Sequence, residues 1–221
     1  MRILKTQLEC QQYLLKNIPR GYFFWTSGVI TTREKLGQLA ERFAEEYGTR
    51  LGASKRYWRK KNGLANALAV AAPLGGEKWR FYLIANEGIG PIWEKEKKTL
   101  KDARSEPVMW GEDYMMRQTR KPREHGGGVH WSWWLTPQVK NQIEKYLVSL
   151  AKEGSAQIAT QILLQQRRPM HSGIRSQVTE MQRCGHRVWS KCWPNRPWPG
   201  PDTDQALPIV AGFKRAETSD D

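Results

Sequence analysis

The 221-residue chain is poor in cysteine, histidine and long apolar runs, and each shortage removes a class of protein. Cys10, Cys184 and Cys192 are too few, and odd in number, for a disulfide framework; they suit a reducing compartment, so a cytoplasmic location is expected. No window approaches the roughly 18 to 20 apolar residues of a membrane-spanning helix. The opening Met-Arg-Ile-Leu-Lys-Thr-Gln-Leu-Glu has no apolar stretch of the secretory kind, and no membrane partner is expected. Carboxylates are also scarce beside the cations: 22 Asp and Glu face 36 Lys and Arg, a net charge of +14. What is abundant is aromatic, with 11 Trp among 10% Phe, Trp and Tyr, which excludes disorder along the whole chain. Excess cations on an aromatic-rich chain imply a polyanionic partner.

The pattern along the chain predicts an α+β fold. Residues 1–20 are polar and weakly helical. Gly21 to Ile30 is dense in β-formers and reads as a strand bent at Gly28. Thr31-Thr-Arg-Glu34 is a capping box, and Leu36, Leu39, Ala40, Phe43 and Tyr47 repeat at helical spacing until Gly48. Leu64 to Ala72 and Trp79 to Ala85 flank a Gly75-Gly76 turn and form a hairpin. A short charged helix is expected within 93–104 and a further strand within 107–118. Val129 to Leu135 alternates, with Val129, Trp131, Trp133 and Leu135 on an inward face and His130, Ser132 and Trp134 on the other. Helices then follow from Thr136-Pro137 to Cys192. Pro194 to Pro201 is an extended polyproline-type stretch, and the chain closes on an acidic tail. The expected architecture is a small antiparallel sheet, ferredoxin-like or split βαβ, with helices on one face and a helical C-terminal third. Its divisions are an α+β domain over 1–153 with a basic loop at 55–61, a helical extension over 154–192 packed on it, and the Pro/Trp-rich segment and tail over 193–221.

The sharpest chemical feature is Lys55-Arg56-Tyr57-Trp58-Arg59-Lys60-Lys61, five cations around two adjacent aromatics. Cations neutralise phosphates and aromatic faces stack on unpaired bases, so the run suits single-stranded or structured nucleic acid, DNA or RNA. The bland alternative is a solvated loop with one ring tucked inwards. Arg117, Arg120, Lys121 and Arg123 lead to His125 and Gly126-Gly-Gly128, whose bare backbone admits a phosphate or simply makes a flexible hairpin connection. No Gly-Lys-Ser/Thr follows, so this is not a nucleotide P-loop. Arg167, Arg168 and Arg175, with Arg183, Arg187, Lys191 and Arg196 beyond, extend the basic character along the last helices. Trp25, Trp58 and Trp134 are the candidate stacking platforms.

For catalysis the candidates are His125, His130 and Tyr114, in a metal-independent nuclease; His130 on a Trp-rich strand is more simply a satisfied histidine. Cys184, His186 and Cys192 are three metal-ligand types in one short stretch, short of the four that close a structural zinc site, and buried thiols are the simpler account. No cofactor or metal is expected. The preferred reading is a nucleic-acid-binding accessory or scaffold protein and not an enzyme. The alternatives are an RNA-processing nuclease and a protein-interaction subunit of a nucleoprotein complex that docks through Pro194 to Pro201.

Overall fold

A computed structural model describes residues 1–120, 126–203 and 207, and the chain divides into two compact units, Met1–Val108 and Met109–Ala211. It is an α+β protein, and among the described residues no helix is long and apolar enough to cross a membrane. The acidic tail lies outside the described residues.

The first unit holds strands β1 (Arg2–Ile3), β2 (Phe24–Ile30), β3 (Ala67–Gly75), β4 (Lys78–Ala85) and β5 (Lys101–Asp102) in one sheet of order β1-β3-β4-β2-β5. Each neighbouring pair among β3, β4, β2 and β5 is antiparallel, so β2 runs parallel to β3 and β4 parallel to β5, and β1 joins the β3 edge in parallel. The helices are α1 (Gln7–Asn17), α2 (Arg33–Tyr47), α3 (Ala53–Lys61) and α4 (Pro91–Glu96). β4 lies between β2 and β3, and β2 lies between β4 and β5. The core is therefore two interlocked split βαβ units, the expected arrangement with one strand added.

Local chemistry fixes these elements. The Thr6 hydroxyl accepts from the Glu9 amide at the start of α1, while the Glu9 carboxylate accepts from the Lys5 amide. α2 is capped by Thr32, whose hydroxyl accepts from the Lys35 amide; the capping position falls one residue later than the Thr31-to-Glu34 spacing suggested. Leu36, Ala40, Phe43 and Tyr47 bury their side of α2 as their spacing required. Of these, Phe43 and Tyr47 join Ala67, Ala69, Leu83 and Ala85 of the sheet and Ile92 of α4 in one core cluster. Gly28 sits opposite Phe81, and a Cβ there would meet the Phe81 ring at 2.7 Å; the glycine makes room for an aromatic lying across the strand.

α1 packs on β3, with Cys10 beside Arg80 and Tyr82, two side chains of β4 whose parity sets them opposite Leu83 and the α2 face. Helices thus cover both faces of this sheet, not one. Trp25, a candidate stacking platform, is only 4% exposed and its indole N–H donates to the Glu106 carbonyl.

The second unit begins within β6 (Val108–Trp110) and continues through β7 (Tyr114–Arg120) and β8 (Val129–Leu135), a three-stranded sheet of order β6-β7-β8. A turn at Gly111 to Asp113 separates β6 from β7, so the 107–118 segment is two strands. α5 (Pro137–Glu153), α6 (Gln157–Gln166) and α7 (Ser172–Cys192) follow. The Ser132 hydroxyl accepts from the Gly173 amide at 2.9 Å, and the Gln177 side chain bonds both the N–H and C=O of Leu135. Residues 109–153 therefore form one body with the C-terminal helices. The division between units falls at Val108, where the expected one lay at 153, and α7 adds hydrogen bonds to β8 beyond its ladder with β7. Trp193 donates to the Ala151 carbonyl, and Trp198 packs edge-on against His186 and Trp189. The Pro/Trp-rich segment is thus engaged within its own unit.

Candidate nucleic-acid interface

Residues 55–61 are helical, not a loop. Ala, Lys and Arg favour helix, and α3 has none of the buried apolar positions that mark a helix by periodicity. At 100° per residue its side chains divide cleanly. Tyr57, Trp58 and Lys61 lie together on one side, Lys55 and Lys60 flank them, and Arg56 and Arg59 lie on the other. All five residues of the first group are exposed, Tyr57 by 72% and Trp58 by 60%.

Arg56 and Arg59 are half-buried and hold the helix down. Arg59 donates through Nε and Nη2 to the Ala65 carbonyl at 3.2 and 2.8 Å, and Arg56 donates through Nη1 to the Leu51 carbonyl. The Asn66 side chain donates through Nδ2 to the Arg56 carbonyl at 2.9 Å. Backbone bonds from Ala65 to Ile89 and from Ile89 to Gly63 join the segment after α3 to the loop that follows β4. The five cations thus split by role. Two anchor the helix, and Lys55, Lys60 and Lys61 surround an exposed aromatic pair.

The other predicted phosphate contacts belong to the second unit. Arg117 and Arg120 are exposed on β7, and the Arg117 guanidinium lies 4.9 Å from the Trp134 ring centre. Lys121, Arg123 and His125 lie outside the described residues. Gly126, Gly127 and Gly128 all have φ between 62° and 87°, a run of left-handed backbone that only glycine takes readily. Arg167 is exposed and Arg175 half-buried. Arg168 is half-buried, donating to the Gln165 side chain at 2.7 Å and to the Tyr114 hydroxyl at 3.0 Å. Arg183, Arg187 and Lys191 recur every four residues and form an exposed stripe on α7.

The catalytic candidates are not brought together. Tyr114 is buried beneath Arg168, unsuited to attack on an external phosphate. His130 is half-buried, with its ring nitrogens 3.2 and 3.3 Å from the Thr119 hydroxyl. Cys184, His186 and Cys192 all lie on α7. Two residues turn the helix by 200°, so His186 faces away from Cys184, and eight residues separate the two thiols by about 12 Å. One ion cannot reach all three. No cluster of three or more His, Cys, Asp or Glu able to hold a metal occurs among the described residues.

Lys16, near the end of α1, and Arg20, in the 3-10 turn that follows it, stand four residues apart outside every basic run of the sequence. With Arg2 and Arg56 they line a cleft of about 560 Å³. Only the four-residue spacing hinted at them, because the fold alone brings the N-terminal segment beside α3. No protein-family model, curated protein or solved structure matches the chain.

Proposed function

We propose that the protein binds single-stranded or structured nucleic acid through the outward side of α3, as an accessory or scaffold component. The observation that carries this reading is the exposure of Tyr57 and Trp58 together, ringed by Lys55, Lys60 and Lys61 on a helix anchored by its other two cations. Exposed adjacent aromatics lose solvation cost when they stack, and base–aromatic stacking contributes about 1 to 3 kcal/mol per base. The surrounding ammonium groups neutralise the backbone of the stacked strand. Small-sheet binders that stack bases on a bare sheet face are a different case: here that face carries α1 and Trp25 is inside. The stripe on α7 and Arg117 and Arg120 supply further phosphate contacts.

The test is fluorescence anisotropy with labelled single-stranded DNA and RNA at several salt concentrations. Affinity should fall steeply with salt, and each of Lys55, Lys60 and Lys61 changed to Ala should reduce the log–log slope by about 0.7. Tyr57→Ala or Trp58→Ala should weaken binding about tenfold or more while leaving that slope in place. Salt-independent binding, or wild-type affinity in the doubly substituted aromatic variant, would reject this interface.

A further inference from the structure

Beside α3, but on its inward side, the first unit holds a cleft with a different chemistry. Its base is β3 at Leu68 and Ala69, and its walls are the end of α1 and the start of α3. Arg2, Lys16, Arg20 and Arg56 converge on it from four stretches of chain, and among its described lining residues none is Asp or Glu. Arg2 lies over the Tyr13 ring at 5.8 Å from its centre, and Tyr13 also lines the cleft. Two further features point to a ligand with oxygen acceptors. α3 starts here, with Ala53 in the wall, Gly52 as its cap, no capping side chain and no acidic residue in its first turn. The first-turn N–H groups of a helix left in this condition carry partial positive charge. Thr49 also lines the cleft, is only 9% exposed, and its Oγ1 is buried with no hydrogen-bond partner among the described residues. A buried hydroxyl without a partner costs stability, and a phosphoryl oxygen would supply the acceptor it lacks.

We propose that this cleft is an anion site for a phosphate ester or phosphoanhydride, held by Lys16, Arg20, Arg56 and Arg2, the Thr49 hydroxyl and the N-terminus of α3. Its volume is that of a nucleotide-sized pocket, larger than a single oxyanion needs. The same chemistry is presented by a free phosphoanhydride, such as a nucleoside polyphosphate, and by the terminal phosphate of a strand. The site is distinct from the outward side of α3 and stands independently of the function proposed above. Arg56, which the sequence grouped with the strand-binding cations, belongs to the cleft.

The test is calorimetric titration of the full chain with pyrophosphate and with ATP in chelator. Anisotropy with short oligonucleotides bearing a 5′-phosphate or a 5′-hydroxyl runs alongside. Saturable pyrophosphate binding is expected. Arg20→Ala, on an exposed side chain, should weaken it about tenfold, the effect of one charge-assisted contact. Thr49→Val should weaken it severalfold while leaving Tm unchanged or raised, because the lost hydroxyl has no partner to desert. A merely structural threonine would move Tm and not affinity. Tyr57→Ala with Trp58→Ala should leave pyrophosphate binding intact, which separates failure of this site from failure of the strand interface. A preference for the 5′-phosphorylated strand that disappears in Arg20→Ala assigns a strand end to the cleft; equal affinity for both strands, with pyrophosphate still saturating, assigns a free phosphoanhydride. Absence of saturable pyrophosphate and ATP binding, or equal affinity in wild type and both variants, overturns the proposal.

Discussion

His171 caps α7 without a side-chain hydrogen bond to the helix and is only 5% exposed. Burial disfavours its imidazolium and lowers its pKa from 6.5 to about 4. The unfolded chain therefore binds a proton that the folded chain refuses between about pH 6.5 and 4. Stability is complete above that window and declines as pH falls through it, by about 3 kcal/mol in all. Asp102, paired with Arg104, and Glu41, paired with Arg50, also have lowered pKa values, but their contribution is lost only below the ordinary carboxylate range. Thermal melts at pH 7, 5.5 and 4.5 should show a falling Tm in wild type and a flatter profile in His171→Asn; parallel profiles would reject the assignment. At this scale the sequence was readable where a residue's role followed from its own strand. Trp133 and Leu135 are buried as their alternation required, but Ser132, expected on the opposite face, is buried as well. Its burial depends on Gly173, forty-one residues away, and no local period encodes that contact.

Among elements, α2 and the β3–β4 hairpin were legible because apolar spacing, Gly48 and the Gly75-Gly76 turn all agreed. α3 looks like a loop in sequence because its periodicity is cationic and aromatic, with no buried side; only its helix propensity speaks for it. The anchorage of α3 is correspondingly peculiar. Gly88 has φ of 142°, and a Cβ on it would lie 2.5 Å from the Ala65 nitrogen and 2.7 Å from the Leu64 carbonyl carbon. Neither backbone atom can yield as a flexible side-chain tip would. Gly88→Ala combines a conformation hostile to L-residues with a backbone clash, and should destabilise the first unit by about 3 kcal/mol. Because the clash falls on the segment leading out of α3, strand affinity should fall as well, even below the melting transition. Chemical denaturation and anisotropy on the same preparation measure the two effects; unchanged stability would show that the loop after β4 does not hold this segment in place.

For the whole molecule, charge and fold were legible to different depths. The composition announced a polyanion partner, and the α+β class followed from the order of patterns, yet the division at Val108 did not. The sequence showed no linker there, because the boundary runs through a strand. All five strands of the first sheet, the outward side of α3 and every lining residue of the cationic cleft fall before that boundary. The second unit carries the α7 stripe and Arg117 and Arg120, with no adjacent pair of exposed aromatics among its described residues. These cations add electrostatic attraction but no stacking, so their contribution should be the more salt-sensitive share. A fragment ending at Pro107 keeps the entire five-stranded sheet and stops before β6. It should melt cooperatively and, at high salt where long-range attraction is screened, bind single strands within about tenfold of the full chain. At low salt the full chain should gain over the fragment by a larger factor, with a steeper salt slope. A folded fragment with no strand affinity at either salt concentration would move the interface out of α3 and into the second unit.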